Sequence, residues 1–187
     1  RLTYDIVTYT LDRNLEGCDY YDYEEPLGAI SGIQAELPIL LAEYTFRCRN
    51  DIEDYLALID SSPAYFSQII DFEERKAAKG LFMPTFAADA ISRQISSLLT
   101  EPAFNCLRET FPDKLKTVSG LSPDDRMNYL REHDALIEGC LVPAYESLRE
   151  CLSRLRSTST HNGGLCQLPH GDDYYAYLVK KSTASSR

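Results

Sequence analysis

The 187-residue sequence has no tryptophan, no C-x-x-C pair, only two methionines and only three histidines. No apolar run approaches the ~20 residues needed to cross a bilayer. The first residues, Arg1-Leu2-Thr3-Tyr4-Asp5, lack the apolar stretch of a signal peptide, and the start reads as a cut inside a longer polypeptide. Basic charge is scarce: 19 Lys and Arg stand against 29 Asp and Glu, a net charge of −10. Phosphate binding relies on clustered cations that release counterions, so a general nucleic-acid surface is excluded. The nearest approach to a cluster, Arg149, Arg154 and Arg156, is interleaved with Glu150 and reads as a solvated helix face.

Catalytic motifs are missing as well. Zinc hydrolysis of the H-E-x-x-H kind needs two His four residues apart on one helix face, with a Glu to take a proton from metal-bound water. His133, His161 and His170 have neither that spacing nor that Glu. They read as a surface residue on a long helix, a turn residue and a loop residue. No G-x-S-x-G nucleophile elbow and no G-x-x-x-x-G-K-[ST] phosphate loop occur. The acidic-aromatic run from Glu16 to Glu25 does not have the spacing of a calcium loop, and reads as a solvated loop whose tyrosines pack onto the core. The cysteines at 18, 48, 106, 140, 151 and 166 read as free or buried thiols.

Helix signals, by contrast, are dense. Asn50 with Glu53 has the spacing of a capping box ahead of Ile52, Tyr55, Leu56 and Ile59. Ser62-Pro63 opens a second helix, which carries Phe66, Ile69 and Ile70, then a solvated Glu73-Glu74-Arg75-Lys76 turn, and stops at Gly80. Thr85 heads a third helix with Ala87, Ile91, Ile95 and Leu98 on one face, and a shorter fourth ends at Pro112. Ser122-Pro123-Asp124-Asp125 then announces the longest helix of the chain. Its stripe runs through Met127, Leu130, Ile137, Leu141, Leu148, Leu152 and Leu155, with a kink expected at Pro143 and with Asp134 or Ala135 at the missing position.

Residues 4–15 can form a helix with Leu2, Ile6, Tyr9 and Arg13 on one face, though their Thr and Val residues also permit a strand. Residues 16–38 read as a long ordered loop, because Gly17, Pro26, Gly28, Gly32 and Pro38 punctuate them. Residues 37–44 resume a helix, and the Ser/Thr-rich segment 182–187 reads as a frayed terminus. The expected fold is therefore all-α: one irregular helical bundle over residues 1–187, with a long kinked helix at about 123–156 and a long loop near 16–38.

Five landmarks follow one another in order: Gly32-Ile33-Gln34-Ala35-Glu36-Leu37-Pro38, Asp51-Ile52-Glu53-Asp54-Tyr55-Leu56, Gly80-Leu81-Phe82-Met83-Pro84, Val142-Pro143-Ala144-Tyr145, and Gly164 through Tyr175. Together they resemble the amino-terminal and middle parts of the bacterial domain-of-unknown-function family numbered 885. The resemblance implies a helical portion of a zinc peptidase whose H-E-x-x-P-G-H segment lies downstream. Zinc, peptide substrate and general base would then belong to the longer chain, with no catalytic and no metal-binding residue in this one. It implies a partner in the carboxy-terminal remainder of that chain, and export or lipid anchoring in a bacterium. Tyr174 and Tyr175 are the candidates for the wall of a substrate cleft. The other reading is a stand-alone interaction module that uses the exposed part of the 127–155 stripe to bind a partner helix.

Overall fold

The computed structural model describes residues 2–100, 103–160 and 162–183. Among them no strand occurs. The helices are α1 (Leu2–Gly17), α2 (Ile33–Glu43), α3 (Arg49–Ala78), α4 (Thr85–Thr100), α5 (Ala103–Thr117), α6 (Pro123–Leu136), α7 (Val142–Leu155) and α8 (Gly171–Thr183). A 3-10 helix, Cys18–Tyr23, follows α1, and a π turn, Ile137–Leu141, joins α6 to α7. The all-α bundle expected from the sequence is the fold observed. His161 and residues 184–187 lie outside the described residues, and Ser182 and Thr183 continue α8 rather than fraying.

α3 is the spine. Its 30 residues pack against α6, the π turn and α7, while α7 also packs on α4, and α2 packs on α5. One hydrophobic core runs through these helices, with Ile52, Ile59, Ile91, Ile95, Phe111, Leu141 and Leu148 fully shielded from water. The helix ends are built locally. Ser122 Oγ accepts from the Asp125 N–H at 3.0 Å and the Asp125 carboxylate accepts from the Ser122 N–H at 3.1 Å, the reciprocal cap expected ahead of α6. Gly80 takes the left-handed conformation (φ 72°) that ends α3. At the start of α3 the cap sits two residues earlier than expected. The Arg47 and Cys48 N–H groups both donate to Asp51 Oδ2, at 2.6 and 3.0 Å, so Cys48-x-x-Asp51 is the working frame and Asn50-x-x-Glu53 is not.

Proline does not divide the chain where the sequence suggests. Pro63 lies inside α3 and Pro38 inside α2. Each leaves the carbonyl four residues back without its helical N–H. For Pro63 that carbonyl is Ile59, and the buried Ser62 hydroxyl donates to it at 2.7 Å. For Pro38 it is Gln34, and the buried Tyr145 hydroxyl donates to it across the core at 2.9 Å. With the lost bonds replaced, α3 runs on through what reads as two helices, and α2 begins at Ile33. The long loop expected at 16–38 is correspondingly short, because α1 reaches Gly17, the 3-10 helix follows, and residues 24–32 alone are irregular. Pro112 likewise sits within α5, which continues to Thr117.

The long helix at 123–156 is present as α6, the π turn and α7. Ahead of Pro143 the Val142 N–H bonds the Ile137 carbonyl, five residues back, and the backbone widens there. Upstream, the buried face passes through Tyr129, His133 and Ile137, four residues apart. The position expected for Asp134 or Ala135 is therefore filled by His133, and both of those residues face outward. Below the π turn Leu141, Tyr145, Leu148, Leu152 and Leu155 face the core. Most of the 127–155 stripe is thus buried by the fold, and Met127, 52% exposed, is its most open member.

Candidate functional site

The Gly164–Tyr175 landmark forms a short 3-10 helix, Leu165–Gln167, and a sharp turn into α8. Gly171 is required there, because a Cβ would stand 1.7 Å from the Leu165 carbonyl oxygen. His170, with φ of 51°, is the turn residue that accepts from the Tyr174 N–H. Tyr174 is buried, its ring 5.4 Å from Tyr20 and 4.7 Å from Tyr23. Tyr177 stacks on Tyr20 at 5.0 Å. Tyr175 is 60% exposed. Successive helix residues point about 100° apart, so the fold places the two candidates on different surfaces and does not bring them together. Burial pushes the phenols of Tyr20, Tyr23 and Tyr174 above their ordinary range, which keeps them neutral donors. The Tyr23 hydroxyl donates to the Pro169 carbonyl, and those of Tyr177 and Tyr9 donate to the carbonyls of Arg13 and Lys180.

Two buried polar groups depart from the sequence reading. His133 is not a surface residue: it lies under Phe111, the rings parallel and 4.0 Å apart, with Nε2 3.3 Å from the Tyr55 hydroxyl. Burial, reinforced by Arg108 and Lys114, lowers its pKa to about 4, so the ring is neutral, and its tautomer sets which way the hydrogen bond with Tyr55 runs. Glu73 and Lys76 are not solvated either. Spaced three apart, they share the core face of α3 with Phe66 and Ile69, and both are fully shielded. Lys76 Nζ bonds the Glu24 carbonyl and Glu25 Oε1, each at 2.9 Å, and lies 3.8 Å from Glu73. Among the described residues the Glu73 carboxylate has no hydrogen-bond partner, and burial raises its pKa to about 7 against the pull of Lys76.

Among the described residues no group of three or more His, Cys, Asp and Glu side chains is arranged to hold a metal. His133 Nε2 is engaged with the Tyr55 hydroxyl, and His170 is exposed with Asp173 3.7 Å away. The six cysteines are free thiols, as expected. No described helix is long and apolar enough to cross a membrane.

A groove of about 900 Å³ lies between α2 and α4, lined by Ala35, Pro38, Ala42, Ala90, Ser97 and Leu98, with Cys106 at the start of α5. Ile39 and Leu40 beside it are 56% and 52% exposed. Sequence reasoning passed over these residues because small side chains carry no chemical motif. The legible signal was their spacing, Ala35 and Ala42 on one helix and Ala90 and Ser97 on the other, each pair seven apart.

The sequence model described as "Bacterial protein of unknown function (DUF885)" matches residues 1–187, the whole chain. The chain belongs to this bacterial family. The DUF885 fold is also found in a solved structure described as "the putative lipoprotein from Colwellia psychrerythraea", with a TM-score of 0.79 at 17% identity. That likeness covers 86% of this chain but 28% of the Colwellia chain, so the residues here correspond to a minor share of a much longer polypeptide. No curated protein matches the sequence.

Proposed function

We propose that this DUF885 chain is the non-catalytic helical portion of a zinc-dependent peptidase, inactive by itself and completed by the carboxy-terminal remainder of a longer chain. The observation that carries the reading is the 86%-to-28% coverage against the Colwellia structure: the same fold occurs there as one part of a larger molecule. The peptidase chemistry rests on the family resemblance of the ordered landmarks. In this reading the metal, the activated water and the general base belong to the remainder, where the resemblance puts the H-E-x-x-P-G-H segment. The contribution of this portion is a rigid wall: a helical body whose buried aromatic and polar clusters leave little freedom to the surfaces it presents. The lipoprotein description of the Colwellia chain supports export or lipid anchoring for the longer protein.

The test is direct. The longer chain is expected to retain about one zinc per molecule and to hydrolyse peptide bonds, while residues 1–187 retain none and hydrolyse nothing. A longer chain free of bound zinc after purification without chelators, and inert on a mixed peptide library with zinc supplied, overturns the reading.

A further inference from the structure

The α2/α4 groove has the features of a helix seat. Ala35 with Ala42, and Ala90 with Ser97, place small side chains at matching heptad positions on two neighbouring helices. Each pair spans about 10 Å along its helix, two turns. Small residues at that repeat let another backbone approach closely, while Pro38 and Leu98 supply an apolar floor. Arg93 lines the groove on its α4 side, while Glu36 and Glu43 line an adjoining depression on α2 that shares the exposed Ile39 with it. Among the described residues none of these three makes an ion pair; the Arg93 guanidinium bonds the Asp89 carbonyl of its own helix. Paired cations occur elsewhere on the surface, as Arg154 with Glu74, Arg156 with Asp89 and Arg75 with Asp22.

We propose that this groove seats an amphipathic α-helix from the carboxy-terminal remainder of the longer chain, with an aliphatic stripe facing the alanines, basic residues along the α2 rim and an acidic residue against Arg93. The proposal rests on the reading above that the chain is one portion of a longer polypeptide. The length of the Colwellia chain outside the shared fold is ample to supply such a helix. A small amphiphile would also find an apolar floor and a cation, but it would leave the heptad spacing and the acidic rim without use.

Cys106 is an exposed thiol lining the groove and reports its occupancy, with exposed Cys48 and Cys166 outside it as internal references. The probe is a synthetic 16-residue helix with leucines on one stripe, lysines on one flank and glutamates on the other, alongside its charge-swapped twin. On residues 1–187, the first peptide is expected to slow modification of Cys106 by a bulky maleimide about tenfold and to bind about tenfold more tightly than the twin. Changing the exposed rim by Arg93→Glu with Glu36→Lys and Glu43→Lys reverses the preference. In the longer chain Cys106 is expected to be shielded to a similar extent, while Cys48 and Cys166 react as before. Equal binding of both peptides, equal shielding by decanoate, or a freely reactive Cys106 in the longer chain each overturns the proposal. The peptidase reading fails separately: a shielded Cys106 in a chain without zinc or hydrolysis removes the activity and keeps the groove, and an open Cys106 in an active zinc enzyme does the reverse.

Discussion

Single side chains decide how this sequence tolerates its internal prolines. The hydroxyls of Ser62 and Tyr145 stand in for N–H groups that Pro63 and Pro38 lack, so each serine or tyrosine is coupled to its proline through one carbonyl. Ser62→Ala is expected to cost about 1–3 kcal/mol by orphaning a buried acceptor, and markedly less in a Pro63→Ala background, where the helix restores its own donor. Tyr145→Phe with Pro38→Ala forms the second cycle. Urea unfolding of the four proteins in each set reads the coupling, and additive effects would refute it.

Two of the buried titratable groups, His133 and Glu73, oppose one another. His133 has a folded pKa of about 4 against 6.5, so the unfolded chain binds a proton that the folded chain refuses. Its contribution is present above pH 6.5 and is lost as pH falls towards 4, by about 3 kcal/mol in all. Glu73 has a folded pKa of about 7 against 4.5, so stability is lost as pH rises from 4.5 to 7, by a similar amount. Wild-type stability is therefore expected to change little between these limits. Glu73→Gln is expected to leave a curve that climbs from pH 4.5 to 6.5, and His133→Phe one that declines. Thermal melts across that range check both, and parallel curves for the two variants would refute the assignment. Carboxylates held low by their partners, Asp22, Asp51, Asp89 and Asp125, act at still lower pH. None of this was legible in the residues. His133, Glu73 and Lys76 are polar types set in a periodic pattern, and no local rule distinguishes a polar side chain that closes a core from one that faces water.

At the scale of the element, signals that act within one turn were readable and those that act through space were not. The Ser122 cap and the Gly80 stop need only their immediate neighbours, and both stand where the sequence puts them. The frame of the α3 cap was ambiguous because Asn50-x-x-Glu53 and Cys48-x-x-Asp51 have the same spacing. The continuity of α2 could not be read, since the group that rescues Pro38 comes from α7, more than a hundred residues away. The groove lay outside reach for the same reason: its walls are two helices whose juxtaposition no motif announces. Within the π turn, Gly139 has open space where a Cβ would stand. Gly139→Ala is therefore expected to stabilise the protein by about 0.5–1 kcal/mol. A loss of stability would show instead that the widened turn depends on glycine.

At the scale of the molecule, the 3-10 helix Cys18–Tyr23 acts as a hub. Tyr21 packs edge-on against Phe72 of α3 and Asp22 pairs with Arg75 and Lys79, while Tyr20 and Tyr23 hold α8. α1 contributes no buried residue to the core, and its Leu2, Tyr4, Ile6, Leu11 and Leu15 are all more than half exposed. Removing the Tyr174 ring is expected to cost about 3 kcal/mol and to raise amide exchange in α1 and α8 together. Tyr175→Ala is expected to stay within about 0.5 kcal/mol. If the longer enzyme loses activity on peptides with Tyr175→Ala while stability is unchanged, the cleft-wall role of that residue stands; unchanged kinetics removes it.

α1 and α8 run antiparallel, Tyr9 meeting Lys180 and Arg13 meeting Tyr177. Force applied through Leu2 and Thr183 would therefore reach their contacts one after another rather than all at once. In an optical trap the pair is expected to peel apart at low load, before the bundle around α3 yields, since forced opening follows the barrier of whatever unit carries the load. Mechanically, the tyrosine clasp is a zipper and the spine is a strut.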